Sequence, residues 1–453
     1  MLVREINLYN FSTLSQINMR RTLFTLSLIA AAIGGQEAYA QNLISTAKDS
    51  IKPVVVEQPN QKVQVNFYGF IRNDIFADTR QAIGAGENAV MLYPRDRQLD
   101  VNGEDINDAG KFHMLSIISR AGVTLKGPEI LGAKSSGLLE GEFFGATEGG
   151  INEFRLRHAY IMLDWEKTQL GVGQFWHPFV VTDALPNMVN YGTGAPVYGL
   201  NRNPQVRVTH KLTDNFKVIV AVHSQRDFTP NTDPYRNSGV PAAHLQFQYK
   251  SKSFVAGLAG QYENLKPALV SGGIKSNERV NSFSAMAYAK LITDPVTFTA
   301  AAYKMQNAAS FVMLGGYVGY KLPNEVETYK PINTESVWLD VQQNTKGKWA
   351  LGMFAGAVYN RGVDDPIEGA VATSYGVTTN WGAVSASQGG RTVNYLYKVV
   401  PRVDFTPNKA LKLRLEMERA AARWADATND ATGFGNRFLA TNYRFHLTTT
   451  YNF

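Results

Sequence analysis

The chain has 453 residues, 44% of them hydrophobic, 11% aromatic and 18% charged, with a formal net charge of +7. Without cysteine it has no disulfide framework, thiolate metal site, Fe–S cluster or cysteine nucleophile, and no acceptor for a lipoprotein's lipid. Sparse charge and abundant aromatics exclude a disordered chain, and no Lys/Arg run points to a nucleic-acid partner.

Arg20 and Arg21 precede an apolar run from Leu23 to Ile33, and Ala38-Tyr39-Ala40 is a small-x-small cleavage site. This order is that of an export signal. The run is too short to cross a bilayer as a helix, and a buried amphipathic helix would not explain the layout. Residues 1–40 are expected to be a cleaved signal peptide, with Met19 as an alternative start. Residues 41–62 would form a short periplasmic segment.

Beyond it, apolar and polar residues alternate in segment after segment. Val65, Phe67, Ile71 and Ile75 oppose Gln64, Asn66, Arg72 and Asp74. Val393, Tyr395, Tyr397 and Val399 oppose Asn394, Lys398 and Arg402, and Leu411, Leu413, Leu415 and Met417 oppose Lys412, Arg414, Glu416 and Glu418. The final strand sets Tyr443, Phe445, Leu447, Tyr451 and Phe453 against Asn442, Arg444 and His446. A period of two places successive side chains on opposite faces of a strand. Charges at strict alternate positions imply a wet face behind a greasy one, which in a membrane barrel is the lumen.

Strands are expected near 63–78, 113–126, 135–147, 152–165, 168–176, 204–212, 215–224, 242–250, 253–263, 279–291, 296–305, 333–343, 348–360, 391–404, 409–421 and 440–453. Short links such as Glu166-Lys167, Thr213-Asp214 and Ser251-Lys252 alternate with longer segments at 79–112, 148–151, 177–203, 225–241, 264–278, 306–332, 361–390 and 422–439, of which only the second is brief. A soluble meander has no reason to segregate tight turns from long loops; outer-membrane barrels do so, with turns periplasmic and loops extracellular. The expected fold is therefore all-β: a transmembrane antiparallel barrel of about sixteen strands over residues 63–453. Trp165 and Trp349 beside turns, and Trp176 and Trp424 at loop-side strand ends, would fit interfacial girdles.

A barrel of this size leaves a channel unless something fills it. Loop 177–203 holds Val180, Val181, Leu185, Met188, Val189 and Tyr191, too apolar for a loop in water, and is expected to fold into the pore. Parity places Arg72, Arg120, Arg207, Lys211, Lys398, Arg402, Lys412, Arg414 and Arg444 inward, with the acids Asp74, Glu140, Glu142, Glu416 and Glu418. Arg155 and Arg157 also belong inward, because a charge facing lipid costs ~2–4 kcal/mol at the midplane. Asp183 is the acid expected on the loop, facing Arg155 and Arg157. Basic rings select anions, and acids opposite them create a transverse field; the alternative for each arginine is local pairing with a nearby glutamate.

Phe154-Arg155-Leu156-Arg157-His158-Ala159-Tyr160-Ile161, then Leu170-Gly171-Val172-Gly173-Gln174-Phe175-Trp176 and Asp183, resemble the DcaP-like trimeric porins. Tyr68-Gly69-Phe70-Ile71-Arg72-Asn73-Asp74 with Asp78-Thr79-Arg80 resembles that family's first strand. The resemblance implies a homotrimer in the outer membrane of a Gram-negative bacterium, embedded in lipid and lipopolysaccharide, with small dicarboxylates as a substrate class. The terminal Phe453 resembles the aromatic by which outer-membrane barrels address their assembly machinery. Segment 41–62 is short and heptad-free, so the periplasmic coiled coil of some members is not expected.

The expected function is passive diffusion of small hydrophilic solutes, anionic or neutral, with mild preference for anions such as small carboxylates. No HExxH, GxSxG or GxxxxGK occurs, so no enzyme and no cofactor is expected. Asp426 to Asp430 lacks the remaining ligands of a calcium loop, and no metal is expected. The competing readings are a substrate-specific channel and a barrel-anchored adhesin or scaffold.

Overall fold

The computed structural model describes residues 54–58, 61–145, 149–226, 232–375 and 391–453. The expected signal peptide, residues 1–40, lies outside the described residues. Sixteen strands cross the barrel. The first five are β1 (Gln61–Asp78), β2 (Arg120–Ile130, continued outward by Lys111–Leu115), β3 (Ala133–Glu142), β4 (Arg155–Asp164) and β5 (Thr168–Trp176). Then come β6 (Arg202–Lys211), β7 (Phe216–His223), β8 (Ala242–Lys250), β9 (Phe254–Leu265), β10 (Val280–Ile292) and β11 (Val296–Gln306). The last five are β12 (Asn333–Gln343), β13 (Trp349–Gly362), β14 (Arg391–Phe405), β15 (Leu411–Ala427) and β16 (Phe434–Asn452).

Each strand pairs antiparallel with its chain neighbour. The sheet closes where β1 meets β16, from Phe70 opposite Asn452 to Asp78 opposite Arg444. Closure leaves no strand edge to satisfy. Val54–Gln58 adds a short antiparallel arm beside the start of β1. Above the loop-side rim, Tyr317–Lys321 joins Thr328–Pro331 and Val371–Tyr375 in a separate three-stranded sheet.

Burial is inverted relative to a soluble protein. On β16, Phe445 is 52% exposed while Arg444, one position away, is fully buried. Leu415 and Met417 on β15 are exposed, and Glu416 and Glu418 are buried. The exposed band faces hydrocarbon; the charged side faces the interior.

That interior is occupied by three loops rather than one. The third loop, 177–201, enters as expected. The first loop also turns inward as a hairpin of Ala82–Ala85 with Val90–Pro94, and the sixth does so around the 3-10 turn Ala308–Phe311. Leu92, Tyr198, Phe311 and Met313 from these loops pack with the inward wall residues Tyr288, Trp338 and Phe354 in one apolar cluster. The signal was the same as for the third loop: Ala-Val-Met-Leu-Tyr at 89–93 and Phe-Val-Met-Leu at 311–314 are too apolar for water.

Two tryptophans depart from the expected girdle. Trp424 points inward and donates its indole N–H to the Pro94 carbonyl at 2.9 Å; it shares parity with Glu416 and Glu418. Trp176 lies under the Arg157 and Arg202 guanidinium groups, 5.5 and 5.2 Å from their central carbons. Trp349 is exposed beside a short turn.

Candidate functional site

The wall of β2, β3 and β4 carries a buried cluster. Glu140 and Glu142 lie two apart on β3, so both face inward, opposite Arg120 on β2 and Arg155 and Arg157 on β4. Glu142 lies 3.1 Å from Arg120, 2.8 Å from Arg155 and 2.7 Å from Arg157. Glu140 takes Arg157 Nε at 2.8 Å and the Tyr68 hydroxyl at 2.8 Å. From the third loop, the Tyr191 hydroxyl donates to Glu142 and accepts from Arg157. Two carboxylates among three guanidinium groups offset the cost of burying each charge.

A second group of charges on β14, β15, β16 and β1 clamps the inward loops. Arg414 pairs with Asp404 at 2.7 Å and donates to the Met188 carbonyl at 2.9 Å. Glu416 accepts the backbone N–H groups of Val189 and Asn190 at 2.7 and 3.2 Å. Lys398 pairs with Glu418 at 2.7 Å and donates to carbonyls from both loops, Met91 at 3.0 Å and Ala195 at 2.8 Å. Arg72 pairs with Asp74 at 2.6 Å and donates to the Val189 carbonyl at 2.7 Å. Arg402 forks onto Asp340 at 2.7 and 3.0 Å. These are charge-assisted bonds, roughly twice as strong as neutral ones.

Asp183 does not sit opposite Arg155 and Arg157. It meets Lys250 on β8 at 2.6 Å, Gln248 at 2.8 Å and Lys217 on β7 at 3.8 Å. The loop crosses the interior between residues 183 and 191, so Tyr191 takes the place expected of Asp183. Burial alone would raise the Asp183 pKa, but the Lys250 hydrogen bond and the nearby Lys217 outweigh it and hold the carboxyl below its usual value.

Nine of the cations expected inward, Arg72, Arg120, Arg155, Arg157, Lys398, Arg402, Lys412, Arg414 and Arg444, have a carboxylate within 4 Å. Local pairing, the alternative weighed for each arginine, accounts for them. Arg207 differs. Its partners are Gln205 and the Trp176 carbonyl, it stacks 4.5 Å over Phe175, and no carboxylate lies within 4 Å among the described residues. Lys211 follows on the same face of β6, and Lys217, Lys250 and Lys290 share the inward parity of β7, β8 and β10. Sequence reasoning missed these last three. The signal was present in Lys217, Ile219, Ala221 and His223 alternating with Val218, Val220 and Val222.

The arrangement can hold a loop rigidly across a barrel and leave a basic surface on the turn side, with Asp183 as the acid set against it. In the last loop, Arg391 and Asn436 occupy Asp426, and Thr428 and Thr432 occupy Asp430, so both acids are engaged by protein groups.

Residues 36–279 match the family model described as DcaP outer membrane protein. Among solved structures, the outer membrane channel DcaP of Acinetobacter baumannii is 19% identical with a TM-score of 0.63, covering 86% of this chain and 97% of that one. The trimer form of OmpT from Vibrio cholerae is 11% identical with a TM-score of 0.51, over 86% and 99%. An anion-selective porin from Comamonas acidovorans is 9% identical with a TM-score of 0.50, over 86% and 100%. A comparison with curated protein sequences finds no match.

Proposed function

Because the chain belongs to the DcaP outer membrane protein family and has the porin fold of an outer-membrane channel, we propose that it passes small hydrophilic solutes by diffusion, with mild preference for anions such as small carboxylates. One observation carries this reading. Arg207, Lys211, Lys217, Lys250 and Lys290 face inward on β6, β7, β8 and β10, and Asp183 is the acid beside Lys217 and Lys250. Basic groups along a low-dielectric wall raise the local concentration of anions. The zero-current potential across a salt gradient tests it: an anion-favouring sign is expected, and cation preference refutes it.

A second reading has its own support. The third loop is tied to the wall by Arg72, Lys398, Arg414 and Glu416 through its backbone, which favours a narrow, fixed constriction and hence a substrate-specific channel. Liposome swelling with a size series of sugars and carboxylates separates the two: graded rates indicate a general porin, and a sharp preference indicates a specific one. No permeation would favour the scaffold.

In this proposal residues 1–40 are removed on export, 41–62 remain periplasmic and 63–453 form the barrel. The assembly would be a homotrimer, as in the trimer form of Vibrio cholerae OmpT. Its assembly would engage the barrel machinery through Phe453, and its surroundings would be outer-membrane lipid.

A further inference from the structure

The outer face of β13 to β16 carries residues that the pore does not use. From the turn side, the outward positions of β15 are Leu411, Leu413, Leu415 and Met417, a face suited to hydrocarbon. The same face then changes to Arg419 and Arg423. Arg361 on β13 and Arg437 on β16 continue this basic zone at the loop side of the barrel. A transmembrane strand needs about nine to eleven residues. Arg419 is the ninth position from Leu411, which sets it where hydrocarbon gives way to headgroups of the outer leaflet.

Tyrosines hold three of these guanidinium groups in place. Arg419 lies 5.1 Å from the Tyr397 ring and 6.0 Å from Tyr443, Arg423 lies 4.9 Å from Tyr395, and Arg361 lies 4.7 Å from Tyr359. Ala421, between the two β15 arginines, is fully covered. Stacking engages the flat face of a guanidinium and leaves its N–H edge for an acceptor; on Arg419 the Tyr443 and Tyr397 hydroxyls take part of that edge, and the remaining N–H groups are left for a ligand. Few acids compete. Glu335 reaches Arg361 at 2.8 Å, and Asp426 is taken by Arg391 and Asn436.

An arginine-rich zone at headgroup depth is complementary to an anionic headgroup, and guanidinium binds phosphate in bidentate fashion. Four arginines against one carboxylate suit a headgroup with several phosphates better than one with a single phosphodiester. We propose that Arg361, Arg419, Arg423 and Arg437 form a binding site for the phosphates of lipopolysaccharide in the outer leaflet. The proposal rests on the outer-membrane barrel and not on which solutes permeate.

The test uses the full chain extracted from outer membranes in mild detergent, beside a variant carrying R361Q, R419Q, R423Q and R437Q. Native mass spectrometry counts the lipopolysaccharide retained after washing. The wild type is expected to retain at least fourfold more than the variant, with both showing the heat-modifiable gel shift of a folded barrel. The wild-type protein is then titrated with lipopolysaccharide, with its dephosphorylated form and with phosphatidylglycerol; binding at least tenfold weaker to the last two is expected. Equal retention by a folded variant, or equal affinity for the dephosphorylated lipid or phosphatidylglycerol, overturns the site. If the variant does not fold, the wild-type titration alone decides. A barrel that binds lipopolysaccharide but conducts no ions would sink the channel reading and leave this site standing.

Discussion

Arg444 and Asp78 form a two-pronged ion pair, Nε to Oδ1 at 2.9 Å and Nη2 to Oδ2 at 2.7 Å, across the seam that closes the barrel. Both side chains are buried, and the third guanidinium nitrogen of Arg444, Nη1, donates to the Asn88 carbonyl of the first loop at 2.7 Å. One residue thus joins the last strand to the first and holds a loop inside.

Replacing Arg444 with Leu leaves Asp78 as an uncompensated buried charge, a loss of about 3–5 kcal/mol. The midpoint of urea unfolding should fall accordingly. The double variant R444L/D78L should recover most of the loss, since apolar replacement of both partners is often neutral. A double variant as unstable as R444L would contradict this account.

Tyr191 joins the third loop to the β3–β4 cluster through its hydroxyl. Tyr191→Phe keeps the ring and removes the bonds to Glu142 and Arg157, at about 1–3 kcal/mol for buried groups left short of a partner. Single-channel conductance should become larger or noisier as the loop loosens. Unchanged conductance and stability would place the loop's anchoring elsewhere.

Neutralising the basic wall should change selectivity with the barrel still closed, while Asp183 loses its two lysine partners. In K217Q/K250Q/K290Q the anion-to-cation permeability ratio is expected to fall at least twofold at low salt. The difference should shrink as ionic strength rises and screening shortens. The zero-current potential at two salt concentrations measures both effects.

Asp183 supplies a pH dependence of known sign. Its carboxyl pKa in the folded protein lies below the ordinary 3.8. The anchor it provides is therefore fully present above that value and is lost as pH falls through the folded one. Conductance should be flat from pH 7 to about 4 and change only at lower pH. Asp183→Asn should show the low-pH behaviour at neutral pH. A step between pH 5 and 7, or an Asp183→Asn channel identical to wild type, would exclude this role.

The strand pattern was legible because lipid imposes it. Leu415 and Glu416, or Phe445 and Arg444, are adjacent in sequence and opposite in environment, and no soluble sheet demands that contrast over sixteen strands. Parity also carried the inward placement of Arg72, Glu140, Glu142, Arg402 and Arg444. It was available but unused for Lys217, Lys250, Lys290 and Trp424. The inward first and sixth loops were signalled by the same apolar content that marked the third.

Partner choice lay beyond the reach of parity. Asp183 and Lys250 are 67 positions apart, and Arg444 and Asp78 are 366 apart; alternation says which way a side chain points, not what it meets. The sequence by itself determined the barrel, its strand number and its wet and greasy faces, because a strand's period and the hydrocarbon boundary are local constraints. Only the tertiary structure decided which charges line an open surface and which clamp the loops. That outcome depends on how three loops share one enclosed volume, where each buried charge must find a partner from a distant part of the chain.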